Sequence, residues 1–208
     1  MNFIVPSSVL VPLTTGVFNF SFLTKEFRIL CYYFTTSFVV NVITAILSYY
    51  QIPNLIFFHL YTPIEAAFLL LFFEQVLEKK KIVRMIRFFL FAFPLYCIIN
   101  FIFFQNGTVF NTYTHSVESL MFIVLSIYYF WKQSINQEAE SKWTSFPLNW
   151  IISGLLLYFS STFFLYIFSN VLLRNYSRDT NIFIWNVHGM IILLTNVLWT
   201  VGFYKCRK

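Results

Sequence analysis

The sequence predicts an all-α protein that lies in a membrane as a bundle of seven helices. Of its 208 residues, 59% are hydrophobic and only 11% are charged, whereas soluble domains have about 25% charged residues. The mean hydropathy is +0.71. Apolar runs of about 20 residues, the length that crosses the hydrocarbon core, follow one another with short connections. These observations predict a single transmembrane domain over residues 1–208, with no separate catalytic domain.

Seven segments of the chain satisfy this length criterion. The first segment is the weakest, because serine, threonine and asparagine side chains interrupt it, so a six-span alternative stays open. The predicted spans are residues 4–23, 27–49, 54–77, 83–104, 110–131, 148–173 and 182–204.

Lysines and arginines are concentrated in alternate connections, and this pattern predicts the orientation in the membrane. Twelve of the 14 basic residues fall on one side, in the connections 24–28, 78–87 and 132–147 and in the C-terminal tail. Only Arg174 and Arg178 fall on the other side. Because loops rich in basic residues stay in the cytoplasm, we expect the C-terminus inside and, with seven spans, the N-terminus outside a bacterial inner membrane. Basic clusters that flank apolar runs are membrane signals and argue against a nucleic-acid partner.

Three ionisable residues interrupt the predicted spans at a similar depth. Glu65, Glu118 and His188 lie in "PIEAAF", "SVESLM" and "NVHGMI", each on a span that runs inward from the outside. An acid at the middle of a bilayer costs roughly 2.5–3.5 kcal/mol on insertion scales, and such residues are functional by default. We therefore expect the three to meet in one pocket in the outer half of the bilayer. Five neighbours complete the predicted pocket: Tyr61, Thr62, His115, Trp185 and Ser161.

Pro63 is expected to open the third span just before Glu65. It has no backbone N–H, so the carbonyl of His59 loses its helical donor. His59 itself lies about 120° around the helix from Glu65. It therefore joins the pocket only if the proline reorients it.

Three interpretations of the pocket remain open. Its side chains could fix helix packing alone, or line a cavity for a ligand, a proton or an ion whose binding is signalled to a membrane or cytoplasmic partner. In the third, Glu65, His115, Glu118 and His188 bind Zn²⁺ or Fe²⁺ through imidazole and carboxylate groups, and the metal activates water to hydrolyse a lipid or peptide. No HExxH motif is present, so the sequence favours sensing over an enzyme. A small proton-coupled transporter is a further alternative, and the sequence leaves the oligomeric state open.

Four segments of the chain resemble a known group of proteins: "YTPIEAAFLLLFF", "SVESLMFIVLSIYYF", "WIISGLLLYFSSTFFLY" and "IWNVHGMIILLTNVLWTVGFYK". The group comprises small heptahelical membrane proteins of Bacteroidota-type bacteria, and the resemblance extends over most of residues 25–208. It implies that Glu65, Glu118 and His188 match the pattern of the group, to which no activity is assigned. The first span departs most from the group.

Overall fold

The computed structural model describes residues 4–136 and 143–206, and this part of the chain is all-helical, with no strand. Lys142, Arg207 and Lys208, which the sequence places on the basic side, lie outside the described residues. Short 3₁₀ turns precede the third and seventh helices. The helices are α1 (Ile4–Ser8), α2 (Leu10–Phe18), α3 (Lys25–Tyr49), α4 (Leu55–Val76), α5 (Lys80–Phe103), α6 (Thr112–Asn136), α7 (Pro147–Asn175) and α8 (Arg178–Lys205).

Five of these helices, α3, α4, α5, α7 and α8, are long and apolar enough to cross a membrane. This agrees with the membrane class that the composition predicts. Helix α6 has a similar length, 25 residues, but is not among the five, and it contains buried polar residues such as His115 and Glu118. The six predicted spans from 27–49 onward correspond to α3–α8, and the largest shift is at the end of α6, which continues to Asn136.

The segment predicted as one span over 4–23 is instead two short helices followed by a 3₁₀ turn. Pro12 has no N–H to donate to the carbonyl of Ser8, so the helical hydrogen-bond pattern is interrupted at Val9, between α1 and α2, although Val9 keeps right-handed helical dihedral angles. The hydroxyl of Ser8 donates to the carbonyl of Val5 at 2.6 Å. Helix α2 has nine residues and so spans about 14 Å, less than half of a hydrocarbon core of about 30 Å.

The helices pack in a closed order around a common interior. Helix α4 contacts α3, α5 and α6, α7 contacts α6 and α8, and α2 lies between α8 and α3. Helix α5 is peripheral, since only 22% of its most apolar stretch is buried, the smallest share among the five helices. Two glycines allow α7 and α8 to approach closely: a Cβ on Gly154 would lie 2.5 Å from Nε1 of Trp199, and one on Gly202 would lie 2.7 Å from Ile151.

The interior divides into an apolar half and a polar half. We call the end where α3, α5 and α7 begin and α4, α6 and α8 end the basic end. The half nearer to it is filled by large side chains, among them Phe34, Phe72, Phe122 and Phe203, all at most 1% exposed. The half farther from it is the polar half, where the buried side chains are largely polar: His59, Thr62, Glu65, Asn111, Thr114, His115, Glu118, Ser119, Thr162, Ser169 and His188.

Candidate functional site

The structure buries all three predicted ionisable residues in the polar half. Glu65 is 1% exposed, Glu118 is 0% and His188 is 8%. Each has a different direct hydrogen-bond partner, so the three side chains are near neighbours rather than one mutually bonded set. The site consists of two neighbouring acids, each hydrogen-bonded to a different side chain, with His188 on another helix.

Glu118 is the end of a hydrogen-bonded chain that links α6 to α4. Its Oε2 lies 3.0 Å from Nδ1 of His115, one helical turn earlier. The Nε2 of the same imidazole lies 3.2 Å from the hydroxyl of Thr62 on α4. Asn111 donates from Nδ2 to that hydroxyl at 2.7 Å, and Thr62 donates to the carbonyl of Phe58 at 2.8 Å. The other oxygen of Glu118 is buried and has no partner within the described residues.

Glu65 is bound by a tyrosine from a third helix. The hydroxyl of Tyr33 on α3 donates to its Oε1 at 2.9 Å. The ring of Tyr33 is 3% exposed and packs edge-on against Trp199 of α8, with 6.4 Å between ring centroids. Tyr61, one turn before Glu65, lies beside Ser37 and Tyr33 and interacts electrostatically with the acid. Glu65 therefore lies where α3, α4 and α8 meet.

The two acids lie at the same level of the bundle. Helices α4 and α6 run in the same direction, and the contact between Thr62 and His115 fixes their register. Glu65 and Glu118 each follow one of these residues by three positions, which is about one turn. Glu65 interacts electrostatically with both Glu118 and His115. No lysine or arginine is among the buried residues of the described chain, so the nearest groups able to bear positive charge are imidazoles.

His188 bonds to Ser161, a pairing between α8 and α7. Its Nδ1 lies 3.3 Å from Oγ of Ser161, whose hydroxyl donates to the carbonyl of Tyr158 at 2.9 Å. Because the serine hydrogen is engaged by the nearer carbonyl, the imidazole acts as the donor and does not activate Ser161 as a nucleophile. His188 interacts electrostatically with His115, so it belongs to the same polar half.

Aromatic rings separate His188 from the acid on α6. The ring centroids of His115 and Tyr166 are 4.4 Å apart, and those of Tyr166 and Trp185 are 6.0 Å apart. Trp185, a predicted pocket residue, also lies against His188 at 6.3 Å. The aromatic rings of Tyr166 on α7 and Trp185 on α8 therefore lie between the imidazoles of His115 and His188.

His59 lies apart from this network. Its Nε2 is 3.0 Å from the carbonyl of Val109, and its ring packs edge-on against Phe101 of α5 at 5.3 Å. Pro63 lies inside α4, which continues as a helix through it. The proline does not turn His59 toward Glu65. His59 is therefore not part of the pocket, which it was expected to join only after such a reorientation.

The described residues do not provide the predicted metal site. They contain no group of three or more His, Cys, Asp or Glu side chains placed to hold one ion. His115 and Glu118 bond to each other, and the nearest partners of Glu65 and His188 are hydroxyl groups. Since a protein zinc site needs three or four ligands on one ion, these residues do not fit Zn²⁺ or Fe²⁺.

Sequence reasoning missed several residues of the site. Asn111 lies one turn before His115 and is fully buried, so the helical spacing of four residues could have identified it. Tyr33, Tyr158 and Tyr166 carry no comparable signal, because aromatic residues are frequent throughout the chain and most of them pack as apolar groups.

A separate cleft lies at the basic end. It has a volume of about 610 Å³ and is lined by residues from the start of α3, the start of α7 and the end of α8, including Phe27, Pro147 and Lys205. Burial raises the pKa of the neighbouring Cys206 thiol to about 12, so the thiol stays protonated and unreactive at neutral pH. The three cysteines, Cys31, Cys97 and Cys206, are free.

Comparison of the chain with protein-family models, with curated proteins and with solved structures finds no match. The fold therefore defines an all-helical protein of membrane composition, and its function has to be argued from the site.

Proposed function

We propose that this protein is a multi-pass inner-membrane protein that responds to protonation or ligand binding at its buried acids and signals this to a partner. In this proposal seven segments cross or enter the membrane, with the N-terminus outside and the C-terminus in the cytoplasm. The basic end then faces the cytoplasm, and the polar half of the interior lies in the outer half of the bilayer.

The observation that supports this proposal most directly is the state of Glu118. This side chain is fully buried, one carboxyl oxygen bonds to His115, and the other has no partner among the described residues. A buried acid that served packing alone would be expected to have both oxygens satisfied, because an unpartnered buried polar atom costs about 1–3 kcal/mol. Ionisable residues inside membrane segments typically mark proton or ion sites.

Glu65 provides the second acid of the proposed site. Two carboxyl groups at one level, with His115 as the nearest potential cation, make the charge of the site depend on how many protons it holds. Gain or loss of one proton therefore changes the interaction between α4 and α6. Such a change can bias the relative position of helices only if it favours one of two arrangements.

Helix α4 connects the site to the basic end. It continues from Glu65 to Glu74, whose carboxylate pairs with Arg87 of α5 at 2.8 Å. The cleft around Phe27 and Lys205 opens at the same end. A partner that binds there would be in position to detect a shift of the helices.

The test is a pH titration of the purified protein in lipid nanodiscs, followed by tryptophan emission. Trp185 and Trp199 pack against His188 and Tyr33 respectively, so they report on the polar half. We expect a reversible change between about pH 8 and about pH 5, the range in which imidazole-coupled groups exchange protons.

Glu118→Gln is the informative variant, because it keeps the shape and polarity of the side chain and removes the exchangeable proton. We expect it, and Glu65→Gln, to abolish or displace the transition. Glu74→Gln is the matched control, since it makes the same substitution on α4 outside the polar half. A wild-type protein without any transition, or variants with the wild-type curve, would contradict the proposed function.

A further inference from the structure

We infer that Thr62, held by Asn111, is a positioning residue that fixes the tautomer of His115, with hydrogen on Nε2 and with Nδ1 facing Glu118. The inference rests on the proposed function and specifies where the site holds its proton. It follows from counting donors and acceptors around one hydroxyl group.

The hydroxyl of Thr62 has one hydrogen to donate and two lone pairs that accept. Its nearest acceptor is the carbonyl of Phe58 at 2.8 Å, which takes the hydrogen. Asn111 fills one lone pair from its Nδ2 at 2.7 Å. The same Nδ2 lies 3.3 Å from the carbonyl oxygen of Phe58. In the opposite orientation of the amide, Oδ1 of Asn111 would face that carbonyl oxygen, and neither atom could donate. The amide nitrogen is therefore correctly placed as the donor.

One lone pair of Thr62 then remains for Nε2 of His115 at 3.2 Å. With the threonine hydrogen already donated, this contact is a hydrogen bond only if Nε2 carries a hydrogen. A neutral imidazole that is protonated on Nε2 has an acceptor at Nδ1. Nδ1 lies 3.0 Å from Oε2 of Glu118, so the hydrogen between them comes from the carboxyl group.

The structure thus assigns one shared hydrogen to the pair formed by His115 and Glu118. When the hydrogen is on Oε2, both groups are neutral; when it moves to Nδ1, the pair is imidazolium and carboxylate, with no net charge. The unpartnered Oε1 of Glu118 fits the first form, because burying the carbonyl oxygen of a neutral carboxyl group without a hydrogen bond costs far less free energy than burying an unpaired oxygen of a carboxylate.

The surroundings of the pair come from four other helices. The described chain has no buried lysine or arginine that would stabilise an isolated carboxylate there. The titratable groups that interact with His115 or Glu118 are Glu65 and Tyr61 on α4, Cys97 on α5, Tyr158 and Tyr166 on α7, and His188 on α8.

The experiment is ¹⁵N NMR of the full-length protein labelled at its histidine side chains and held in nanodiscs at neutral pH. The chain has three histidines, so His59→Gln and His188→Gln variants assign the signals. The shifts of Nδ1 and Nε2 distinguish the two neutral tautomers and imidazolium. We expect His115 to show hydrogen on Nε2 in the wild-type protein.

Thr62→Val should shift the tautomer ratio of His115 toward hydrogen on Nδ1 by about two- to twelvefold, the factor that one net hydrogen bond provides. Thr62→Ser should restore the wild-type spectrum, because it restores the hydroxyl. Thr195→Val, at another fully buried threonine, is the matched control and should leave the His115 signals unchanged.

A wild-type spectrum with hydrogen on Nδ1 alone would overturn the inference, even if Thr62→Val failed to fold. Equal spectra of Thr62→Val and the wild type would also overturn it. The NMR spectrum is recorded at one pH, so it does not depend on any pH response of the protein. The expected tautomer of His115 without a fluorescence transition would therefore contradict the proposed function and leave the hydrogen-bond assignment intact.

Discussion

A close approach between α7 and α8 at Gly154 allows a quantitative prediction. Gly154 has no side chain, and a Cβ at its position would lie 2.5 Å from Nε1 and 2.7 Å from Cδ1 of Trp199. Contacts this short do not persist, so Gly154→Ala has to displace the indole. Trp199 is 3% exposed and packs against Phe34 and Tyr33, and its Nε1 donates to the carbonyl of Ile151 at 3.2 Å.

The expected cost combines three effects. Forcing a methyl group into a packed core costs typically about 1–3 kcal/mol. Loss of the indole hydrogen bond adds about 0.5–1.5 kcal/mol, and replacing a helical glycine by alanine returns about 0.5–1 kcal/mol. Together these effects are expected to lower the free energy of unfolding of Gly154→Ala by about 0.5–4 kcal/mol. The middle of this range, about 2 kcal/mol, corresponds to about 30-fold in the unfolding equilibrium constant.

The assay is equilibrium unfolding in mixed micelles of increasing denaturing-detergent content, followed by circular dichroism. Gly107→Ala is the control, because its Cβ would lie 3.4 Å from Ile56, an ordinary contact, and we expect a change within about 0.5 kcal/mol. The double variant Gly154→Ala, Trp199→Phe should recover part of the loss, since the smaller ring leaves room for the methyl group. A Gly154→Ala protein as stable as the wild type would refute the packing argument.

Two further predictions concern the basic end and the orientation. Arg87→Ala should lower stability by less than about 1 kcal/mol, and high salt should abolish the difference, because the arginine that pairs with Glu74 is 66% exposed; an effect unchanged by salt would contradict this. In a background without the native cysteines, Thr108→Cys should react with an impermeant thiol reagent on intact cells. Ser134→Cys should react only after permeabilisation, and the reverse pattern would overturn the proposed topology.

Much of the fold could be predicted because hydropathy is a local property of the chain. Apolar runs predicted α3–α8 with small shifts at their ends. The first segment was the exception, since serine, threonine and asparagine side chains interrupt its apolar run and Pro12 interrupts its helical hydrogen bonding.

The sequence by itself determined the membrane class, the helices and the position of Glu65, Glu118 and His188 within apolar helices, because each depends on residues close together in the chain. The bond between His115 and Glu118 is local as well, since it lies within one turn of α6. Only the tertiary structure decided which side chains of other helices these groups bond to. Tyr33 and Glu65 are separated by 32 residues, Thr62 and His115 by 53, and Ser161 and His188 by 27. Helical periodicity shows which face of a helix is polar, but helix packing selects the opposing side chain, and in this protein it joined His115 to Thr62 rather than gathering the predicted residues around a metal.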